Sequence, residues 1–262
     1  MPDNEIVEVD TCKANFALES IKAHLCDTTH GKFWLPTHHY DDPIIQAIIR
    51  QELFDSHIVE TCKPFVSSGS TVIDVGANFG QMSMAWSKMV GETGRVHSFE
   101  PSKFVAYYLR KSLELNEFCA NVVLHENACW DISGVELKML EPDGSDHGRF
   151  YSGMGIQSDE RDPRTMTTHI VKSLSIDDIE YSTPVSLIKV DAQGSDYHAL
   201  KGAARTIERY HPVVAFEYEP HYNPWFGIGW EDFERFFADL GYKKREDLIN
   251  NGHDYIYTYK EV

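Results

Sequence analysis

Between Thr71 and Gln81 the chain reads TVIDVGANFGQ, and no other stretch restricts its fold so tightly. Thr71, Val72 and Ile73 lead into the acid Asp74, after which Gly76, Asn78 and Gly80 occupy alternate positions. An amphipathic stretch, QMSMAWSKMV, follows directly. That pattern predicts a buried strand, a tight loop and a helix start, the first half of a nucleotide-binding βα unit. Glycine lets backbone approach a ligand because it has no Cβ and tolerates positive φ. The stretch is not the nicotinamide fingerprint G-x-G-x-x-G, since Asn78 stands between the glycines. An ordinary strand-to-helix turn of an α/β protein is the plain alternative.

From Thr71 onward, strand and helix patterns alternate. Strands are expected at Arg95–Glu100, Asn121–Glu126, Val185–Asp191 and Val213–Glu219, and helices from Ser102 to about Asn116, over Tyr197–Arg209 and near Glu231–Leu240. Lys244–Ile249 and Tyr255–Tyr259 flank Asn250-Asn251-Gly252 as a terminal hairpin. Alternating βα units imply an α/β fold with a central, mostly parallel seven-stranded sheet, helices on both faces and a closing antiparallel hairpin. Residues 1–70 read as a separate helical extension capping the site, ahead of the main domain at 71–262. Phe16, Ile21 and Leu25 suggest one short helix there. Asp42-Pro43 opens a second, with Ile44, Ile45, Ile48, Ile49 and Leu53 on one stripe. Residues 130–184 are too long for a single crossover. They form either a small β excursion, Gly134–Leu140 against Thr167–Leu174 with a loop over the site, or an irregular surface insertion.

Composition removes several partner classes. With 24 basic and 41 acidic residues the net charge is −17. Such a surface repels phosphate backbones, and the longest basic cluster is only Lys243-Lys244-Arg245, so no nucleic-acid partner is expected. Cys12, Cys26, Cys62, Cys119 and Cys129 contain no C-x-x-C pair and look like reduced thiols. The acidic N-terminus lacks the apolar core of a signal peptide, and no apolar run nears the ~20 residues that span a bilayer. The expectation is a cytoplasmic protein without a membrane partner.

Ligands of open α/β sheets lie beyond the carboxyl ends of the strands. Here those ends carry Asp74, Glu100, Asn127, Asp191 and Glu217. Glu100 stands where a ribose-binding acid is expected after the first strand, and its carboxylate suits a vicinal diol. A helix-capping role for it is the alternative. Pro101 and Ser102 turn the chain into the next helix, and Asn127-Ala128 could read an adenine edge or form a plain turn.

The form Asp-x-Gly-x-Asn-x-Gly resembles motif I of S-adenosylmethionine-dependent methyltransferases. The order VIDVGANFGQMS, VHSFEPS, SLSIDDI and LIKVDAQGSDYHALKGA is similar to the FkbM family of these enzymes, over about residues 60–220. Family members commonly carry Glu at the positions of Gln193 and Asp196. The resemblance implies a Rossmann-like class I methyltransferase fold. It also implies methyl transfer from S-adenosylmethionine to an oxygen, often of a sugar, polyketide or other secondary metabolite. The cofactor would be held by Asp74, Gly76, Asn78, Phe79, Gly80, Glu100, Pro101, Ser102, Asn127 and Ala128, and the acceptor would be a small molecule or glycan. Candidate general bases, in order, are His221, Asp191 and Glu217. A divalent metal on Asp191, Glu217 and Glu219 is a less favoured alternative. His38-His39-Tyr40 and Tyr222, Trp225, Phe226 and Trp230 are candidate acceptor-pocket residues. Other readings are an N-methyltransferase, a silent cofactor-binding module and a nicotinamide dehydrogenase.

Overall fold

The computed structural model describes residues 6–8, 22–37, 42–141, 154–158, 167–249 and 251–260. The chain begins with strands β1 (Ile6–Glu8), β2 (Lys22–Thr28) and β3 (Gly31–Pro36) and helices α1 (Pro43–Ile49) and α2 (Ser56–Cys62). Next come β4 (Thr71–Val75), α3 (Gln81–Val90), β5 (Arg95–Phe99), α4 (Lys103–Glu114) and β6 (Val122–His125). The excursion contributes β7 (Ala128–Cys129), β8 (Glu136–Glu141), β9 (Gly155–Ile156) and β10 (Thr167–Leu174). The chain closes with β11 (Val185–Val190), α5 (Asp196–Lys201), α6 (Ala204–Tyr210), β12 (Val213–Glu217), α7 (Trp230–Asp239), β13 (Tyr242–Lys244) and β14 (Asp254–Tyr259).

The central sheet is mixed and runs β13-β14-β12-β11-β4-β5-β6. Its strands from β12 to β6 are mutually parallel, while β14 is antiparallel to both β12 and β13. Successive side chains of a strand point to opposite faces, and here both faces are covered. Ile73, Ile188, Val214 and Phe216 pack with Leu200, Ile207, Phe233 and Phe237 of the helices on one side. Val72, Leu187, Val213 and Ala215 pack with Ile58, Val59, Trp86 and Val90 on the other. This double burial makes each central strand read as a continuous apolar run. Chain order reverses between β4 and β11, so the loops after these strands diverge and leave a crevice.

A second sheet, β7-β10-β8-β9, stands beside the carboxyl edge. Its β8 pairs antiparallel with β10 from Lys172↔Glu136 to Thr167↔Glu141, the pairing expected of the excursion. The loop expected over the site falls largely outside the described residues, although Met154, Gly155 and Ile156 return to wall the crevice.

Three expectations need correction, the first being the terminal strand Lys244–Ile249: the strand that pairs with β14 is Tyr242–Lys244, and a turn follows it. Leu25 lies in β2 of a hairpin, paired with Trp34, and not in a helix; Phe16 and Ile21 fall outside the described residues. A Thr28 turn sets this hairpin, its Oγ1 accepting from His30 N and Gly31 N. The free edge of β3 is satisfied by α4 and the residues after it. Ser112 Oγ accepts from Trp34 N, and Asn116 both accepts from Lys32 N and donates to Lys32 O. The extension is therefore part strand, part helix; α1 starts as expected, with Asp42 accepting from Ile44 N and Ile45 N. The expected helix over Tyr197–Arg209 is in fact two, α5 and α6, broken at Gly202-Ala203. Gly202 lies so close to Trp130 that an added Cβ would stand 2.2 Å from its carbonyl oxygen.

Candidate active site

The crevice is a cavity of about 390 Å³ running from the loop after β4 to the ends of β11 and β12. Gly76 N and Ala77 N donate to Phe99 O, which fixes the loop to the neighbouring strand. Gly76 has φ +76°, and a Cβ there would stand 1.8 Å from Asp191 O, so only glycine lets the two loops close together. Asn78 holds a left-handed φ of 49° that its short amide side chain tolerates, its Oδ1 accepting from Phe79 N at 2.8 Å. Gly76, Asn78, Phe79 and Gly80 all line the cavity, with the Phe79 ring buried in the core.

Glu100 also lines the cavity and is only 3% exposed. Its Oε2 accepts from Asn78 N and its Oε1 from Ser102 N, both at 2.9 Å. Burial pushes its carboxyl up to about 7, even though these two backbone donors pull the other way. Pro101 and Ala128 are in the lining as well. Asp74 lies beneath the cavity, fully buried, with Oδ2 accepting from Ser83 Oγ at 2.6 Å and Lys189 Nζ 3.6 Å from Oδ1. It braces the strand ends without entering the lining. Ser102 caps α4 and donates to Glu141, and Asn127 donates its amide to Lys172 O of β10. Of the expected adenine-reading pair Asn127-Ala128, Ala128 lines the cavity with Cys129, while Asn127 lies outside the lining with its amide on β10.

The other end gathers charge. Lys189, from the interior of β11, is buried with Nζ 3.5 Å from Asp191 Oδ2. Burial opposes its charge, but Asp191, Asp74 and Glu217 outweigh that and raise its pKa. Glu217 is hydrogen-bonded to Asp191. Burial first, then the Asp191 charge and this bond, hold Glu217 well above the usual carboxylate range, so it keeps a proton at neutral pH. Gln193, at φ +49°, points Nε2 at Asp191 Oδ1 (3.3 Å) and Glu217 Oε2 (3.4 Å). Asp196 is buried beneath them, accepting from Ala192 N and Gly194 N, and burial pushes it up to about 7.

His221, the first-ranked base, is exposed and outside the cavity lining. The turn after β12 explains this. Asn223, fully buried, accepts from Glu219 N and donates to Gly194 O, so Glu219 and Asn223 face inward and His221 outward. The downstream aromatics are also placed elsewhere. Phe226 packs on Trp130 and Trp230 on Tyr255, Trp225 is exposed, and Tyr222 is outside the lining. His38-His39-Tyr40 lie outside the described residues. Among the described residues no group of three or more His, Cys, Asp or Glu side chains is placed to hold a metal ion, and no helix is long and apolar enough to cross a membrane.

Sequence reasoning missed Lys189, Phe54, Asp55, Gln81, Met139, Met154 and Ile156, all in the lining. Lys189 had a readable signal, a lone charge inside the apolar strand SLIKV.

Comparison with known proteins follows this geometry. Several solved methyltransferases are similar in structure. The methyltransferase FkbM from Methylobacillus flagellatus is 19% identical, with a TM-score of 0.48, over 73% of this chain and 44% of that one. This chain thus spans less than half of that protein's length. A SAM-dependent methyltransferase from Aquifex aeolicus is 20% identical at a TM-score of 0.42, over 83% and 93% of the two chains. A SAM-dependent O-methyltransferase from Thermotoga maritima is 11% identical at 0.46, over 90% and 84%. A comparison with curated protein sequences gives no match. The profile of the methyltransferase FkbM domain, by contrast, matches residues 74–244, from the acid of the first central strand to β13. That match takes in both the glycine loop and the carboxylate cluster, and the chain belongs to the FkbM family of methyltransferases.

Proposed function

We propose that the protein transfers the methyl group of S-adenosylmethionine to a hydroxyl oxygen of a carbohydrate or other small metabolite. The observation that carries this reading is Glu100, a buried carboxylate in the cavity wall whose two oxygens are fixed by backbone donors. A carboxylate so held is preorganised for the vicinal hydroxyls of a ribose. Ala128, Cys129, Met139, Met154 and Ile156 supply an apolar wall that suits a flat base, and the volume suits one nucleoside with an acceptor beside it.

S-adenosylmethionine, when bound, supplies an electrophilic methyl group on a sulfonium. The chain's own part is to hold, orient and deprotonate. Glu100 accepts from the ribose diol, and the loop from Gly76 to Gly80 offers backbone at close range. Lys189 and Gln193 fix Asp191 at the far end. Asp191 is the carboxylate of the cavity wall that Lys189 and Gln193 hold in place, so it is the group that would take the proton from the acceptor hydroxyl. Holding two reactants in line is itself worth several kcal/mol.

Calorimetry with S-adenosylhomocysteine and NAD tests the cofactor. Tight binding of the former is expected, and Glu100→Ala weakens it by roughly tenfold to a hundredfold, the worth of hydrogen bonds to a charged group. Asp191→Asn lowers turnover by about a hundredfold or more with that affinity unchanged. Preference for NAD, or full activity in Asp191→Asn, would sink the respective assignment.

A further inference from the structure

Strand β8 of the excursion does more than wall the crevice. Met139 and Glu141, two residues apart, share one of its faces, so the strand that brings an apolar side chain to the cavity also brings a carboxylate to Ser102. Glu141 is 7% exposed, and a carboxylate so buried is costly unless it is hydrogen-bonded. Its Oε2 accepts from Ser102 Oγ at 2.5 Å, and its Oε1 lies 3.3 Å from His169 Nε2 of the paired strand β10. No step of the proposed methyl transfer uses it.

Ser102, itself fully buried, stands between two buried carboxylates. Its N–H donates to Glu100 Oε1 at 2.9 Å, while its one hydroxyl proton goes to Glu141 and its hydroxyl oxygen accepts from Val105 N. A carboxylate offers roughly four lone-pair sites. Backbone fills two of those on Glu100, Ser102 N at Oε1 and Asn78 N at Oε2. The sites left over are those the vicinal hydroxyls of a ribose would meet, and the place of the Ser102 N–H fixes where Oε1 presents its own. Glu100 N donates to His125 O, but the His125 ring packs on His97 and Phe99. Burial is the main cause that pushes Glu100 up to about 7. Of the charged groups around it, Glu141 from β8 adds to the rise and Lys189 from β11 opposes it.

We infer that Glu141 is a positioning residue of the donor site: through Ser102 it holds Glu100 in place for the ribose, and as a second buried anion it opposes the charge that Glu100 needs for that contact. This rests on the S-adenosylmethionine reading above and gives the excursion a part in donor binding. Glu141 itself touches no ligand.

The test is calorimetry of S-adenosylhomocysteine with the full chain between pH 6 and pH 8, which requires no acceptor. Ribose hydroxyls favour the ionised form of Glu100, so wild-type affinity is expected to fall about tenfold from pH 8 to pH 6. Glu141→Gln keeps an oxygen for the Ser102 hydroxyl and removes the charge. Its acid-side fall moves down by about half a pH unit, so its affinity relative to wild type rises about twofold to threefold between pH 8 and pH 6. Glu141→Ala removes the oxygen as well, and binding weakens about tenfold at pH 8. A carboxylate that only ties the excursion to the main sheet would not make the ratio depend on pH. A Glu141→Gln to wild-type ratio that stays constant from pH 8 to pH 6 overturns the assignment, and so does Glu141→Ala binding as tightly as wild type. If Glu141→Ala does not fold, Glu141→Gln, which keeps the bond to Ser102, decides the matter. Wild type that binds no S-adenosylhomocysteine at either pH overturns the donor reading itself, and this assignment with it.

Discussion

Gln193 stands where the resemblance to the FkbM family implies a Glu. Its amide donates to both Asp191 and Glu217, so it does by hydrogen bonding what a third carboxylate could not. Lys189 is the cation in this group, and Asp55 and Asp196 add further negative charge around Asp191. Gln193→Glu therefore introduces a like charge with no new counter-charge, which raises the pKa of the pair. A carboxylate base works deprotonated, and an added like charge beside the pair makes the proton harder to remove, so the acid-side loss of activity moves upward. The acid limb of kcat is expected to shift up by about one pH unit in Gln193→Glu while S-adenosylhomocysteine affinity holds. An unmoved limb with a uniformly lowered kcat reduces Gln193 to a structural part. At this scale the sequence discloses residues that end strands, because strand ends face the crevice by topology. Glu100, Asp191 and Glu217 were legible as residues facing the crevice for that reason. That His221 and Asn127 lie outside the lining was not legible, because their directions depend on partners remote in sequence, the Asn223–Gly194 bond and the Lys172 carbonyl.

Elements were legible where periodicity was strong, and the doubly covered strands were strongest of all. The first hairpin was not legible. Its β2 carries buried His24 beside buried Ala23 and Cys26, which spoils the alternation that announces a strand. The helix α4 and the residues after it hold it through side chains 78 and 84 residues away in sequence. The same helix joins the main sheet to the excursion at its other end. Ser102 Oγ accepts from Val105 N and donates to Glu141 Oε2 at 2.5 Å, so one hydroxyl caps α4 and satisfies a buried carboxylate of β8. His169 Nε2 lies 3.3 Å from the other oxygen, Glu141 Oε1. Ser102→Ala is expected to cost about 1–2 kcal/mol in urea unfolding, the sum of a lost cap and a weakened carboxylate bond. A loss below about 0.5 kcal/mol would mean that water replaces the hydroxyl at both bonds.

For the whole molecule, buried ionisable groups make stability depend on pH in a way composition alone does not convey. Burial raises Glu100 from 4.5 and Asp196 from 3.8, each to about 7. Between those limits the folded chain keeps protons that the unfolded chain has released, so both groups make stability fall as pH rises toward 7. His97 acts in the opposite sense. Burial, with His125 and Arg95 nearby, lowers it from 6.5 to about 4, so the unfolded chain takes a proton there that the folded one refuses. Its contribution is lost as pH falls through that range. The net charge of −17 adds self-repulsion on the alkaline side. Comparing variants separates these opposed effects. Glu100→Gln removes the ionisation of one buried carboxyl, worth of the order of 3 kcal/mol between pH 5 and 8. Its Tm at pH 8 minus its Tm at pH 5 is expected to exceed the wild-type difference by roughly 5 °C or more. On the proposed ribose contact, bound S-adenosylhomocysteine is expected to stabilise wild type preferentially at pH 8 and to narrow the gap. An equal pH dependence in wild type and Glu100→Gln would show Glu100 ionised in the free protein from pH 5 upward, its backbone donors outweighing burial.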